Sequence, residues 1–233
     1  MNPAAPLTPA DRVAALLATI RWPRDFREAA RWQRDLARKV IREDRFEKLE
    51  RIAGVDVAFP APDRGRAAVV VCSYPDLLTL ETALGEAGDL LPYRPGFLAF
   101  REIPAILEAY RRLSVEPDLL IVDGHGLAHP RRLGIASHLG VLLDRPTIGC
   151  AKSLLTGRHG PLGEEVGAQS DIIDDHEVVG RAVRTRRGSQ PVYVSIGHRV
   201  SLETAVQIVL RCCRGYRLPE PTRRAHLAVS GRR

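Results

Sequence analysis

The sequence predicts an α/β protein with one mixed β-sheet, in which an antiparallel meander is followed by parallel strands and helices flank the faces. Three observations carry that prediction. Between residue 51 and about residue 84, three short apolar runs are separated by turn residues, and the first alternates with a period of two. Consecutive strands joined this closely form an antiparallel meander. Leu119-Leu120-Ile121-Val122 and Thr147-Ile148-Gly149-Cys150-Ala151 are short, mostly apolar runs beside Pro and Gly, which read as buried strands. A helical stretch over residues 131–143 lies between them, and strand–helix–strand implies a parallel pair.

Composition narrows the classes. The 233 residues are enough for a substantial core, and no repeat, low-complexity tract or linker divides them, so one main domain is expected. With 45% hydrophobic and 27% charged residues the chain is of ordinary globular type. A net charge of +7 and a pI near 9.7 point to a polyanionic partner. The basic residues are 32 Arg and only 3 Lys, so each Lys is informative about its position. The four cysteines form no C-x-x-C pair, which fits a reducing cytosol. No run approaches 18 apolar residues, and no basic stretch precedes an apolar one at the amino terminus. Neither a membrane span nor a signal peptide is expected, and the expected location is cytoplasmic.

The elements follow in order. Thr8-Pro9 opens a helix running to about Ile20. After Trp22-Pro23-Arg24, helical spacing over residues 25–52 predicts a long arginine-rich helix, its charged face solvated or laid on DNA. The first strand, residues 51–59, puts Gly54, Asp56 and Ala58 on one face. Asp56 there either faces water or has space beside it for an ion. A hairpin turn over residues 60–65 leads to strands at 66–74 and near 76–84. Leu91-Pro92-Tyr93-Arg94-Pro95-Gly96 is a proline-stiffened loop, in which Tyr93 either packs in a turn or serves as a wedge between bases. A helix over residues 105–113 opens with Pro104, placing Glu102 at a helix amino terminus, where a carboxylate is favourable on its own account.

Asp123 closes the central strand. Gly124 and Gly126 after it either form an Asx-type turn or let the backbone approach a ligand. Lys152 ends the next strand, on the same carboxyl edge as Asp123, where open α/β sheets place their sites. Residues 164–175 read as loop. Residues 177–188 read as a strand ending in an arginine turn, with Arg186 and Arg187 suited to phosphate contacts. A strand at 191–198 and a Ser201-capped helix to Cys213 follow. The Pro- and Arg-rich tail, residues 216–233, contains His226 and is expected on the surface or on nucleic acid.

Three acids stand out: Asp56 within the first strand, Glu102 at a helix start and Asp123 at the end of the central strand, with Asp118 at that strand's far end. Carboxylates held together repel, so a cluster calls for a cation, and oxygen ligands suit Mg²⁺ or Mn²⁺. A meander followed by parallel β-α-β, with acids on the central strands, is the ribonuclease H-like plan.

The sequence words also resemble a known family. Gly54-Val55-Asp56-Val57, Pro92-Tyr93-Arg94-Pro95-Gly96, Phe100-Arg101-Glu102, Val122-Asp123-Gly124-His125-Gly126, His129-Pro130-Arg131-Arg132-Leu133-Gly134 and Ile148-Gly149-Cys150-Ala151-Lys152-Ser153 are similar, in order and spacing, to endonuclease V. The resemblance runs from about residue 25 to 227. It implies a single catalytic domain there, with residues 1–24 an extension or helix and 228–233 a basic tail. It further implies a ribonuclease H-like fold and a metal-dependent endonuclease, using Mg²⁺ with Mn²⁺ as substitute. The implied enzyme acts as a monomer on inosine-containing DNA, or RNA, in repair of deaminated DNA. It cuts the second phosphodiester bond 3′ to the lesion, leaving a 3′-hydroxyl and a 5′-phosphate. By the same resemblance Asp56, Glu102 and Asp123 bind metal, Lys152 is an active-site lysine, and Pro92, Tyr93, Arg94 and Pro95 form the wedge. His129 acts near the scissile phosphate, and Asp118 and His226 are further candidates. The alternatives are another ribonuclease H-like nuclease, which Tyr93 argues against, and a non-catalytic nucleic-acid-binding protein, which the intact acids argue against.

Overall fold

A computed structural model describes residues 7–88 and 90–231; the amino-terminal six residues and the last two of the basic tail lie outside the described residues. The strands are β1 (Arg51–Ala61), β2 (Arg64–Ser73), β3 (Thr79–Ala87), β4 (Leu119–Val122), β5 (Thr147–Ala151), β6 (Arg158–His159), β7 (Gln169–Asp174), β8 (Glu177–Val183) and β9 (Val192–His198). The helices are α1 (Pro9–Thr19), α2 (Phe26–Ala37), α3 (Ala99–Tyr110), α4 (Ile135–Leu143), α5 (Leu202–Arg211) and α6 (Glu220–Ser230). All nine strands join one sheet in the order β3-β2-β1-β4-β5-β9-β8-β7-β6. The meander β1–β2–β3 is antiparallel, β1, β4 and β5 run parallel, and β9 to β6 continue antiparallel. This is the expected mixed α/β sheet of ribonuclease H-like type.

Strand alternation splits the core in two. Ile52, Leu119, Ile121, Ile148 and Cys150 face Val206 and Val209 of α5 and Ala225 and Val229 of α6. Ala53, Val55, Leu120 and Val122 face the other way, onto α3, α4 and Val13 of α1. Helices therefore cover both faces, and the carboxyl edge of β1, β4 and β5 is left for chemistry. Among the described residues no helix is long and apolar enough to cross a membrane.

Several expectations are corrected. The helix predicted over residues 25–52 ends at Ala37. Beyond it the backbone bonds to distant partners: Ile41 N–H donates to His198 Nδ1 (3.2 Å), Arg45 N–H to Arg199 O (3.2 Å), and Asp44 accepts from Ser201 N–H (2.7 Å). Val40, Phe46 and Leu49 still reach the core, but from irregular chain, so their spacing reflects burial and not a helix. α3 begins at Ala99, well before residue 105, and Pro104 lies inside it. Pro104 has no N–H to donate, yet burial of Phe100, Ile103, Ile106 and Tyr110 holds the helix across it. α4 begins at Ile135 because Arg132 turns left-handed (φ +55°) to bond Asp174 (2.6 Å) and Glu177 (2.7 Å). β3 lies three residues later than predicted, at Thr79–Ala87. The predicted loop at 164–175 contains β7, whose pattern is faint because only Ile172 of it is buried. The tail, expected on the surface or on nucleic acid, is mostly α6, packed on β1 and β2.

Candidate active site

Asp123 sits one residue past β4. Its N–H still donates to Val55 O (2.9 Å), so the parallel ladder fixes it beside Asp56 of β1. Asp56 Oδ1 accepts from the Val57 N–H (2.9 Å), and Oδ2 bonds His226 Nδ1 (2.7 Å). His226 arrives there because α6 crosses β1 at Gly54. A Cβ on Gly54 would stand 2.0 Å from the Pro221 carbonyl carbon and oxygen, so only glycine lets the helix lie this close. One ligand atom each from Asp56, Asp123 and His226 lies within 4.8 Å of the others.

Glu102, in the first turn of α3, borders Asp123 in the same cavity but lies outside that group. Burial, and then the charges of Asp56 and Asp123, hold its carboxyl well above the usual carboxylate range; Arg101 opposes them. Burial and Asp56 also raise Asp123, against the pull of Lys152. The ammonium of Lys152 touches the Asp123 carboxylate. Three mutually repelling carboxylates plus an imidazole form a donor set that fits a hard divalent cation.

A cavity of about 280 Å³ opens beside this cluster, lined by Glu102, Asp123, Gly124, His125, Ile135 and Tyr93 among others. Tyr93 is 67% exposed at its mouth, so it is not packed in the turn. Its loop is nonetheless held. Arg94 lies over the Phe26 ring (5.0 Å), and Gly96, at φ +79°, offers its carbonyl to three donors. These are Gln33 Nε2 (3.0 Å), His129 Nε2 (3.1 Å) and Arg131 Nη2 (2.6 Å).

His129 is 3% exposed. Its Nδ1 accepts the Arg131 N–H (3.1 Å), which assigns the proton to Nε2 for the bond to Gly96. Burial first, then Arg131, push its pKa down to about 4. Both of its nitrogens are engaged in holding the loop, and the side chain also lines the cavity that Glu102 and Asp123 border. Gly124 borders the cavity. Gly126 does not: its N–H donates to Ser195 Oγ (2.8 Å), and its missing Cβ makes room for Ile196 O.

The endonuclease V family model matches residues 34–227. Endonuclease V from Gloeobacter violaceus is 56% identical over 214 residues, covering 90% of this chain and 87% of that protein. This chain belongs to the endonuclease V family. It is an enzyme of the deoxyribonuclease V type, as the resemblance implied. The crystal structure of endonuclease V from Streptomyces avermitilis superposes with a TM-score of 0.86 at 41% identity, covering 90% of this chain and 93% of that one. Endonuclease V from Ciona intestinalis, in complex with a 24mer DNA containing an inosine followed by a ribo-adenosine, matches at 31% identity and TM-score 0.75, over 88% and 97% of the two chains.

On this endonuclease V fold the remaining candidates separate. Asp118 lies at the opposite edge of the sheet, roughly 16 Å of extended chain from Asp123. It caps the Glu50 and Arg51 N–H groups (both 2.9 Å) and pairs with Arg51 (3.2 Å), which is a structural task. Arg186 and Arg187 are exposed on a tight turn after β8, and Arg186 borders a groove beside Lys152. His226 belongs to the cluster more fully than the sequence suggested. The signal for a helix there was present, in the helix-start pattern Pro219-Glu220-Pro221 and the apolar i,i+4 pair Ala225 and Val229, but not for its crossing of β1 at Gly54.

Proposed function

We propose that the protein cuts nucleic acid at a deaminated purine. It binds inosine or deoxyinosine in the cavity and cuts the second phosphodiester bond on the 3′ side, leaving a 3′-hydroxyl and a 5′-phosphate. The observation that carries this reading is the cavity's position: Asp123 of the cluster and Glu102 beside it form its wall and exposed Tyr93 its mouth. A family relative bound to inosine-containing DNA supports the same substrate class. The reading assigns the protein to repair of deaminated DNA, as a cytoplasmic monomer.

Asp56, Asp123 and His226, with Glu102 beside them, would hold the divalent cation, Mg²⁺ with Mn²⁺ as substitute. When bound, such a cation supplies positive charge at the phosphate and makes water more acidic. The chain's own groups do the rest. Lys152 places a point charge between Asp123 and the approaching phosphate. The cavity takes the extruded base, whose unstacking costs a few kcal/mol and less for a poorly paired hypoxanthine. Tyr93 fills the gap left in the stack, and its clasped loop keeps it there before DNA arrives.

The deciding experiment is cleavage of matched single-inosine DNA and RNA oligomers with Mg²⁺, with the cut mapped. A cut at the second 3′ bond of the inosine strand is expected. Equal cutting of undamaged strands overturns the reading. Tyr93→Ala should reduce inosine selectivity by the equivalent of roughly 1–3 kcal/mol while affinity for undamaged DNA changes little. Equal losses on both would remove the wedge. Replacing Arg186 and Arg187 together with Ala should weaken binding to every sequence and flatten the log K against log salt slope by up to about two units. An unchanged slope would return that turn to ordinary solvated surface.

A further inference from the structure

Beyond Lys152, on the side away from the base cavity, runs a second groove lined by Lys152, Arg186, Tyr216, Arg217, Leu218 and Arg223. Asp123 lines the cavity, Lys152 lines the groove, and the two side chains touch, so their ion pair is the partition between them. The groove is cationic: Arg186 and Arg217 form no ion pair among the described residues. It is also prebuilt. Thr185 Oγ1 donates to Arg217 O (2.6 Å), and the Arg217 guanidinium donates to Pro191 O (2.8 Å) and to Lys152 O. These bonds tie the loop carrying Tyr216 to the strand end carrying Lys152.

Tyr216 is 49% exposed within this pinned loop. The Arg223 guanidinium covers one face of its ring at 4.3 Å, itself fixed by two 2.6 Å bonds to Glu220. A ring backed by a cation on one face and open on the other is a platform for a base, since every base offers a π-face to an aromatic side chain.

Resting on the proposed function, we infer that this groove binds the single strand on the 3′ side of the cut, with a base stacked on the free face of Tyr216. The polarity follows from the layout. The extruded base occupies the cavity, the scissile phosphate lies at the acid cluster, and the chain leaving past Lys152 is the 3′ segment. Tyr216 is a binding residue for the nucleotides downstream of the cut, and Arg186 and Arg217 neutralise their phosphates.

The test is a cycle of arm length against side chain. Inosine oligomers with 3′ arms ending one or five nucleotides past the cut are bound in Ca²⁺ by the unaltered protein, Tyr216→Ala and Tyr216→Trp. The unaltered protein and Tyr216→Trp should bind the long arm more tightly by about five- to a hundred-fold. Tyr216→Ala should lose most of that preference and keep only the part that Arg186 and Arg217 supply, a coupling that a merely structural tyrosine would not produce. If the unaltered protein binds both arms equally, or Tyr216→Ala keeps the full arm dependence, the groove has no such role. Should Tyr216→Ala fail to fold, the arm dependence of the unaltered protein decides. Absence of any cleavage of the long oligomer in Mg²⁺ overturns the function on which the groove rests. Cleavage with arm-independent binding overturns the groove alone.

Discussion

Asp123→Asn should lower cleavage by several orders of magnitude while inosine-containing DNA is still bound. The substitution keeps the size of the side chain and removes one charge from the cluster of Asp56, Asp123 and His226. Tyr93 and the arginine turn are untouched and Asn keeps the shape of the cavity wall, so binding in Ca²⁺ should persist. The same variant should melt at least as high as the unaltered protein when no divalent ion is present. Asp123 has a folded pKa above its usual 3.8, from burial and Asp56. A raised carboxyl favours the folded state while protonated, and that stability is lost as pH rises from the unfolded pKa to the folded one. Asn has no proton to lose. The melting difference between variant and parent should therefore widen as pH rises from about 4, then level off. Near-normal Mg²⁺-dependent cleavage would remove Asp123 from the metal site, and loss of folding would make it a structural residue.

Gly54→Ala should destabilise the protein by about 1–3 kcal/mol and cost activity beyond that. The new methyl meets Pro221 backbone at 2.0 Å and Thr222 N at 2.4 Å, and backbone cannot rotate away. α6 must shift, and His226 in its second turn leaves Asp56. Gly180→Ala is the control: its methyl meets Val194 O at 2.5 Å, a milder clash with backbone, but on β8, away from the cluster. At a temperature where both variants are folded, single-turnover cleavage should fall at least tenfold in Gly54→Ala and stay near normal in Gly180→Ala. Equal rates would show that α6 serves stability alone.

The sheet was legible because its signals are local. The four apolar residues of β4 and the alternation of β1 declare themselves within a few positions. Residues 38–50 misled because Phe46 and Leu49 are partly buried at helical spacing by packing against the core, which no window can register. Asp56 was legible as an acid among small residues within a strand, and Glu102 and Asp123 as acids at a helix start and a strand end. The place of His226 was not, since it depends on α6 crossing β1, some 170 residues apart in the chain. Gly126 shows the opposite case: it belongs to a word of the family, yet its contacts are to Ser195 and Ile196 and not to the cavity.

The Gly96 carbonyl has a consequence for how the wedge loop tolerates change. A carbonyl oxygen has two lone pairs, and here three donors compete for them, from α2, from His129 and from Arg131. Losing any one leaves the oxygen satisfied. The loop is thus buffered by redundancy: Gln33→Leu or His129→Ala alone leaves two donors in place, and the anchor fails only when substitutions combine. Such an arrangement lets individual residues around Tyr93 drift while the ring's position stays constant.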